Sequence, residues 1–183
     1  METTATTRSG IRWLPALFAF AAFVALGVLL AYAVSQARGG GGPKLEPAHD
    51  FTVPLYTGGP GSFTMSEHRG HTVLLNFWAS WCAPCRAEFP VLQAAADKYK
   101  DQNLVVVGVA INDSEDEARL FLEQQNTTFL AGHDLTGQVA LAYTITGLPA
   151  TFFITPDGRI YKKWLGQIDE TRLTTFIEEL LKS

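Results

Sequence analysis

The sequence predicts an α/β domain, a mixed central sheet with helices on both faces, preceded by one transmembrane helix. Three observations carry that expectation. Nearly unbroken apolar runs at 71–79 and 104–111 have the composition of strands buried on both faces. Segments with helical periodicity alternate with such runs. Near the start of the chain, Leu14 to Val34 is a stretch of 21 residues without a charge. A helix of that length spans roughly 31 Å, about the thickness of a bilayer's hydrocarbon core.

Residues 1–13 read as a short N-terminus on the cytoplasmic side. Arg8 and Arg12 precede the apolar run, while Arg38 and Lys44 follow it, so the basic bias is slight. Ala31-Tyr32-Ala33 fits the small-x-small pattern of a cleaved signal, the rival to an anchor that is retained. The run at 14–34 exceeds a signal's apolar region of about 7–15 residues, which favours the anchor. On either reading everything downstream is exported, placing the domain on the extracytoplasmic side of the cell membrane. Residues 35–47 contain four consecutive glycines with Pro43 and Pro47. Such a segment is a flexible tether reaching roughly 20 Å. The domain proper is expected over 48–183.

Within it, residues 51–65 suggest a hairpin turning at Gly58–Gly61. The strand at 71–79 leads into a helix from Ala83 to about Lys100, with Phe89, Leu92, Ala95, Ala96 and Tyr99 on one side. Pro90 should kink that helix, because it removes a backbone donor. After the strand at 104–111, Ser114 and Glu117 form a capping box for a helix running to about Gln125. A short helix is expected over 137–143. A strand at 150–156, a Pro156-Asp157-Gly158 turn and a strand at 160–166 follow. A final helix over 170–182 carries Leu173, Phe176, Ile177, Leu180 and Leu181 as a stripe. Strand order is left open by periodicity alone.

From Leu45 onward the chain has ten basic and seventeen acidic residues, a net charge of −7. An acidic surface does not suit nucleic acid, whose phosphates require a basic footprint.

The stretch NFWASWCAPCRAEFP holds the chain's two cysteines, Cys82 and Cys85. As a staple they would close almost no loop and so stabilise little. A structural zinc site needs four ligands. No other cysteine exists, and His49, His68, His71 and His133 lack ligand spacing among themselves. The histidines read as ordinary surface or loop residues. A redox pair fits better, because the cysteines fall where a buried strand hands over to a helix. The positive end of a helix stabilises a thiolate, the species that attacks disulfides. Cys82 is then the exposed attacker and Cys85, one turn deeper, the resolving thiol. Pro84 suits the first helical turn, where its missing N–H costs nothing. Trp78 reads as strand core and Trp81 as the rim on which a substrate docks. Glu88 lies three residues beyond Cys85 on the same helical face. A carboxylate there opposes the helix dipole and raises thiol pKa values; a solvated helix residue is the plainer alternative.

NFWASWCAPC resembles the active-site segment of thioredoxin-fold proteins. The anchor, tether, WCAPCRAEFP and the later GLPATFFITPDGRI are similar to the membrane-anchored thiol-disulfide oxidoreductases of the TlpA/ResA/CcmG (DsbE) group. The resemblance implies a thioredoxin fold with an added N-terminal β-hairpin. It implies a cis-Pro149 facing the cysteines, with Leu148 and Pro149 beside Trp81 and Pro84 in contact with substrate. It further implies a redox-active disulfide in place of any cofactor and protein thiol or disulfide substrates, including the CxxCH segment of apocytochrome c. A membrane electron donor of the DsbD/CcdA type is the implied partner. Thioredoxin itself carries an aspartate where this chain has Asn76; in ResA-like proteins an acidic residue at the position of Glu88 serves the site. Two other functions compete. A peroxiredoxin-like (AhpC/TSA) peroxidase would place a threonine and a proline shortly before its cysteine, where this chain has Trp81. A copper-delivery factor would space its cysteines by three residues and use a distant histidine, for which His133 is the available candidate.

Overall fold

The computed structural model describes residues 14–38 and 45–182, with side chains at 20–33 and 45–182. Two compact units result, Met1–Lys44 and Leu45–Ser183. In the first, helix α1 spans Leu14–Arg38. It continues four residues past the apolar run, into the segment expected to be tether. Its side chains from Phe20 to Ala33 are all exposed. Among the described residues no helix is long and apolar enough to cross a membrane; the apolar run itself extends beyond the described side chains at both ends. The expected N-terminus at 1–13 and the glycine tract lie outside the described residues.

In the second unit, eight strands among the described residues form one sheet. They are β1 (Glu46–Pro47), β2 (Thr52–Thr57), β3 (Ser62–Thr64), β4 (Thr72–Trp78), β5 (Leu104–Ala110), β6 (Leu130–His133), β7 (Ala150–Ile154) and β8 (Arg159–Leu165). Their spatial order is β1-β8-β7-β4-β5-β6-β2-β3. Strands β4, β5 and β6 run parallel, while β7, β8 and the β2–β3 hairpin pair antiparallel. Parallel neighbours require a crossover. Helix α2 (Ala83–Tyr99) links β4 to β5, and α3 (Glu115–Gln124) links β5 to β6. Helices α4 (Gln138–Ala142) and α5 (Glu170–Leu181) complete the unit.

Every residue of β4 is buried, which explains its apolar run. Alternation divides it between two cores. Leu74 and Trp78 pack with Phe89 and Leu92 of α2, Phe121 of α3, and Leu173 and Ile177 of α5. Val73, Leu75 and Phe77 face the other way, against Val53, Phe63, Val139 and Tyr143. Helices therefore cover both faces, as expected. Asn76 shares the side of Leu74 and Trp78, and so faces α2.

The structure corrects several sequence expectations. Glu46 and Pro47 pair with Ile160 and Arg159, so the sheet begins inside the expected tether. Strand β6 was not foreseen: Leu-Ala-Gly-His has four residues, one a glycine and none β-branched, and it is held by parallel pairing to β5. That strand buries His133, whose Nδ1 lies 3.2 Å from the Tyr56 hydroxyl, so this histidine is no surface residue. The capping box is half made. Ser114 Oγ accepts the Glu117 N–H at 3.2 Å, but the Ser114 N–H goes to Asp113 Oδ1 at 3.0 Å rather than to Glu117. Pro90 does lie inside α2, as expected, on the exposed side of the helix, where water can hydrate the carbonyl that the proline leaves free.

Gly132 meets a close backbone approach in β6. A Cβ there would lie 2.3 Å from the Pro54 carbonyl oxygen of the neighbouring strand. Gly132→Ala must push β2 away, and overpacking of this kind costs about 1–3 kcal/mol. Urea denaturation should show that loss with an unchanged slope; an unaltered midpoint would mean the hairpin yields freely.

Candidate active site

Strand β4 ends at Trp78, and a turn over Ala79–Trp81 delivers the chain to α2. The Cys82 N–H closes that turn on the Ala79 carbonyl at 3.1 Å. Cys82 is the N-cap of α2, and its sulfur accepts the Cys85 N–H at 3.3 Å. Residue 82 thus supplies the oxygen-like acceptor that Ser or Asp gives most helices. Pro84 lies in the first turn, exposed, where no backbone donor is needed. Cys82 and Cys85 form a disulfide with their Cα atoms 5.2 Å apart.

Cys82 is less open than expected. It retains 4% exposure against none for Cys85. Its side chain turns back over the helix start and is bonded to the buried Cys85, which draws it into the α2-side core. The order of depth is nevertheless the expected one. Trp81, beside it, is 64% exposed, and its indole N–H donates to the Asn112 carbonyl at 2.9 Å. Trp78 is fully buried, as a core residue should be.

Glu88, one turn beyond Cys85, is fully buried, which rules out the solvated alternative. Asn76 Nδ2 donates to Oε1 at 2.8 Å, and the Ile168 backbone N–H donates to Oε2 at 3.0 Å. Burial lifts the carboxyl from its usual 4.5 to about 7, although the bonds from Ile168 and Asn76 pull the other way. Asn76 spends its second N–H on Thr151 Oγ1 at 3.0 Å. Its Oδ1 is buried with no partner among the described residues, an acceptor adjacent to a carboxyl that can carry a proton. The position where thioredoxin has an aspartate is thus an amide that holds a carboxylate contributed by α2.

The Leu148–Pro149 bond is cis, matching the implied geometry. Ala150 pairs with Phe77 near the end of β4, so Pro149 and the cysteines emerge at one end of the sheet. Pro149 is buried and Leu148 half-buried. The Pro149 carbonyl accepts the Gly166 N–H at 2.8 Å, whereas the Leu148 backbone N–H and C=O have no hydrogen bond among the described residues. The seven candidate site residues lie on the turn that follows β4, the first turns of α2, or the loop entering β7. Asn112, Asp113, Thr151 and the Ile168 N–H were missed. Asp113 falls between the strand at 104–111 and the Ser114 cap with no pattern of its own, and a backbone donor 80 positions from Glu88 leaves no trace in residue identity. Among the described residues no group of three or more His, Cys, Asp or Glu could hold a metal.

A mixed sheet with helices on both faces, a cysteine pair at the start of α2 and a cis-proline turn alongside define a thioredoxin-fold protein with a bridged CxxC. The chain belongs to the AhpC/TSA family, whose model matches residues 45–163. It is 34% identical over 116 residues to the thiol-disulfide oxidoreductase ResA of Oceanobacillus iheyensis, covering 63% of this chain and 60% of that protein. It is 35% identical over 126 residues to the thiol:disulfide interchange protein HelX of Rhodobacter capsulatus, covering 68% and 69%. A crystal structure assigned to a thiol:disulfide interchange protein DsbE of Chlorobium tepidum superposes with a TM-score of 0.69 at 33% identity, over 75% of this chain and 97% of that one.

Glu88 should leave a mark on stability. Its folded pKa of about 7 lies above the ordinary 4.5, so the native state keeps a proton that the unfolded chain releases. That contribution is complete below pH 4.5 and lost as pH rises through 7, a loss of the order of 3 kcal/mol. Denaturation of the oxidised protein between pH 4 and 8 should show the decline in wild type and its absence in Glu88→Gln. Parallel curves would contradict the assignment.

Proposed function

We propose that the protein is a thiol-disulfide oxidoreductase, tethered to the cell membrane with its domain on the extracytoplasmic side, that reduces disulfides in other proteins. The observation that carries this reading is the Cys82–Cys85 bridge at the N-terminus of α2. A sulfur that caps a helix receives an N–H bond and the positive end of the dipole, both of which favour its thiolate.

In the reduced protein, the Cys82 thiolate attacks one sulfur of a substrate disulfide. A Cys82–substrate bond forms, the substrate bond breaks, and one substrate thiolate leaves. The Cys85 thiolate then attacks the Cys82 sulfur, forming the intramolecular bridge and expelling the second substrate thiolate. Two electrons pass to the substrate, and the two protons of the cysteine thiols end on its thiols. Cys85 must lose its proton in a buried setting. Glu88, one turn away and poised near neutrality, is the acceptor best placed to take it. The unpaired Leu148 backbone offers a strand edge for the substrate segment, with Trp81, Pro84 and Pro149 around it.

The names of ResA and HelX support the thiol-disulfide chemistry. By the resemblance to CcmG-type proteins, the substrate is the CxxCH segment of an apocytochrome c during cytochrome c maturation. A membrane donor of the DsbD/CcdA type would restore the dithiol. The chargeless run at 14–34 supports the anchor.

Cys85→Ser should halt the cycle after the first step and accumulate substrates disulfide-linked to Cys82 in the host. Apocytochrome c among them supports the substrate; adducts formed equally well by Cys82→Ser, through the remaining Cys85, would contradict the chemistry. Peroxide consumption surviving Cys85→Ser would instead favour a peroxidase.

A further inference from the structure

The loop between β5 and α3 contributes nothing to the sulfurs, yet it grips the turn that carries them. Asp113 Oδ2 accepts the Ser80 N–H at 2.5 Å, and Oδ1 accepts the Ser80 hydroxyl at 2.9 Å and the Ser114 N–H at 3.0 Å. From the other side, Arg86 Nη1 donates to the Ser80 carbonyl at 3.2 Å. Every polar group of Ser80 is therefore engaged. The next residue, Trp81, is bound at its one polar atom by the Asn112 carbonyl, and Asn112 itself adopts a left-handed φ of 51°. A 64% exposed indole is thus held by the same short segment that clamps its neighbour. Beside it lies a cleft of about 300 Å³ walled by Ser80, Trp81, Arg86, Asp113, Glu117 and Leu120.

We propose that Asp113 is a positioning residue: by clamping Ser80 it fixes Trp81 as a rigid plate against which a protein substrate docks next to Cys82. The proposal rests on the oxidoreductase reading. An ordered aromatic surface loses little freedom when a partner arrives, so affinity is gained by cutting the cost of ordering. A carboxylate is needed because three donors converge on it. An asparagine would turn an NH₂ towards Ser80 or Ser114 and leave one of those donors unpaired.

The test is a double-mutant cycle in the full-length protein, read as kcat/KM for insulin disulfide reduction. Asp113→Asn should cost at least about fivefold in the wild-type background and less than about twofold on top of Trp81→Ala, because the plate it positions is gone. A merely structural role would cost the same in both backgrounds, and that result, or no loss in either, overturns the proposal. If Asp113→Asn does not fold, Ser80→Ala removes only the hydroxyl arm and enters the same cycle, with a loss above about twofold that must vanish in the Trp81→Ala background. A second readout needs no turnover. Hydrogen exchange of the Trp81 indole N–H in the oxidised protein should accelerate about tenfold or more in Asp113→Asn. Unchanged exchange means Asp113 does not hold the ring. If wild type fails to reduce insulin, the oxidoreductase reading fails, and the exchange result alone still decides whether Asp113 holds the plate.

Discussion

The sulfur of Cys82 is the cap of α2, and the rest of the site is built outward from that bond. Strand β4, buried along its whole length, lifts the chain to one end of the sheet and must release it into a helix there. A helix start leaves N–H groups in want of acceptors. Here the acceptor of the Cys85 N–H is the atom proposed to do the chemistry. The helix needs the sulfur, and the sulfur gains a donor that would hold it more tightly as a thiolate. Cys85 follows within the same turn, with its Cα 5.2 Å from that of Cys82, close enough for the bridge. Pro84 fits between them because the first turn asks nothing of its nitrogen.

A second constraint runs beneath the first. Burying a carboxylate is costly unless its oxygens are bonded, and Glu88 has one donor from the sheet and one from the segment before α5. Asn76 and Ile168 lie far apart in sequence, so this side chain ties β4, α2 and the entry to α5 together under the disulfide. Those bonds reduce the penalty of burial without cancelling it, which leaves the group able to exchange a proton near neutral pH. Stability and the proposed proton transfer therefore draw on the same arrangement, with the Asn76 oxygen, unpartnered among the described residues, as part of it.

What could be read from the residues was whatever repeats or stands alone. The burial of β4 and β5 shows in their unbroken apolar runs, and the stripe of α5 shows in Leu173, Ile177 and Leu180. The cysteine pair is legible because nothing else in the chain can partner it. Strand β6 is not, since Leu130–His133 owes its conformation to β5 and its burial to the hairpin, both tertiary effects. His133 was misjudged for the same reason. Glu88 was recognised by its spacing from Cys85, but its burial depends on Ile168, whose contribution is a backbone N–H that every residue except proline possesses. Asp113 escaped notice because an Asn-Asp-Ser turn has the same letters whether or not it grips the neighbouring loop.

The most direct test of the central claim is selective alkylation of the reduced protein, with the modified sulfur identified by mass spectrometry. If Cys82 occupies the helix mouth as attacker and Cys85 lies sealed behind it, limiting iodoacetamide modifies Cys82 in preference by about tenfold or more. Equal modification of the two sulfurs, or preference for Cys85, would contradict the arrangement on which the mechanism rests.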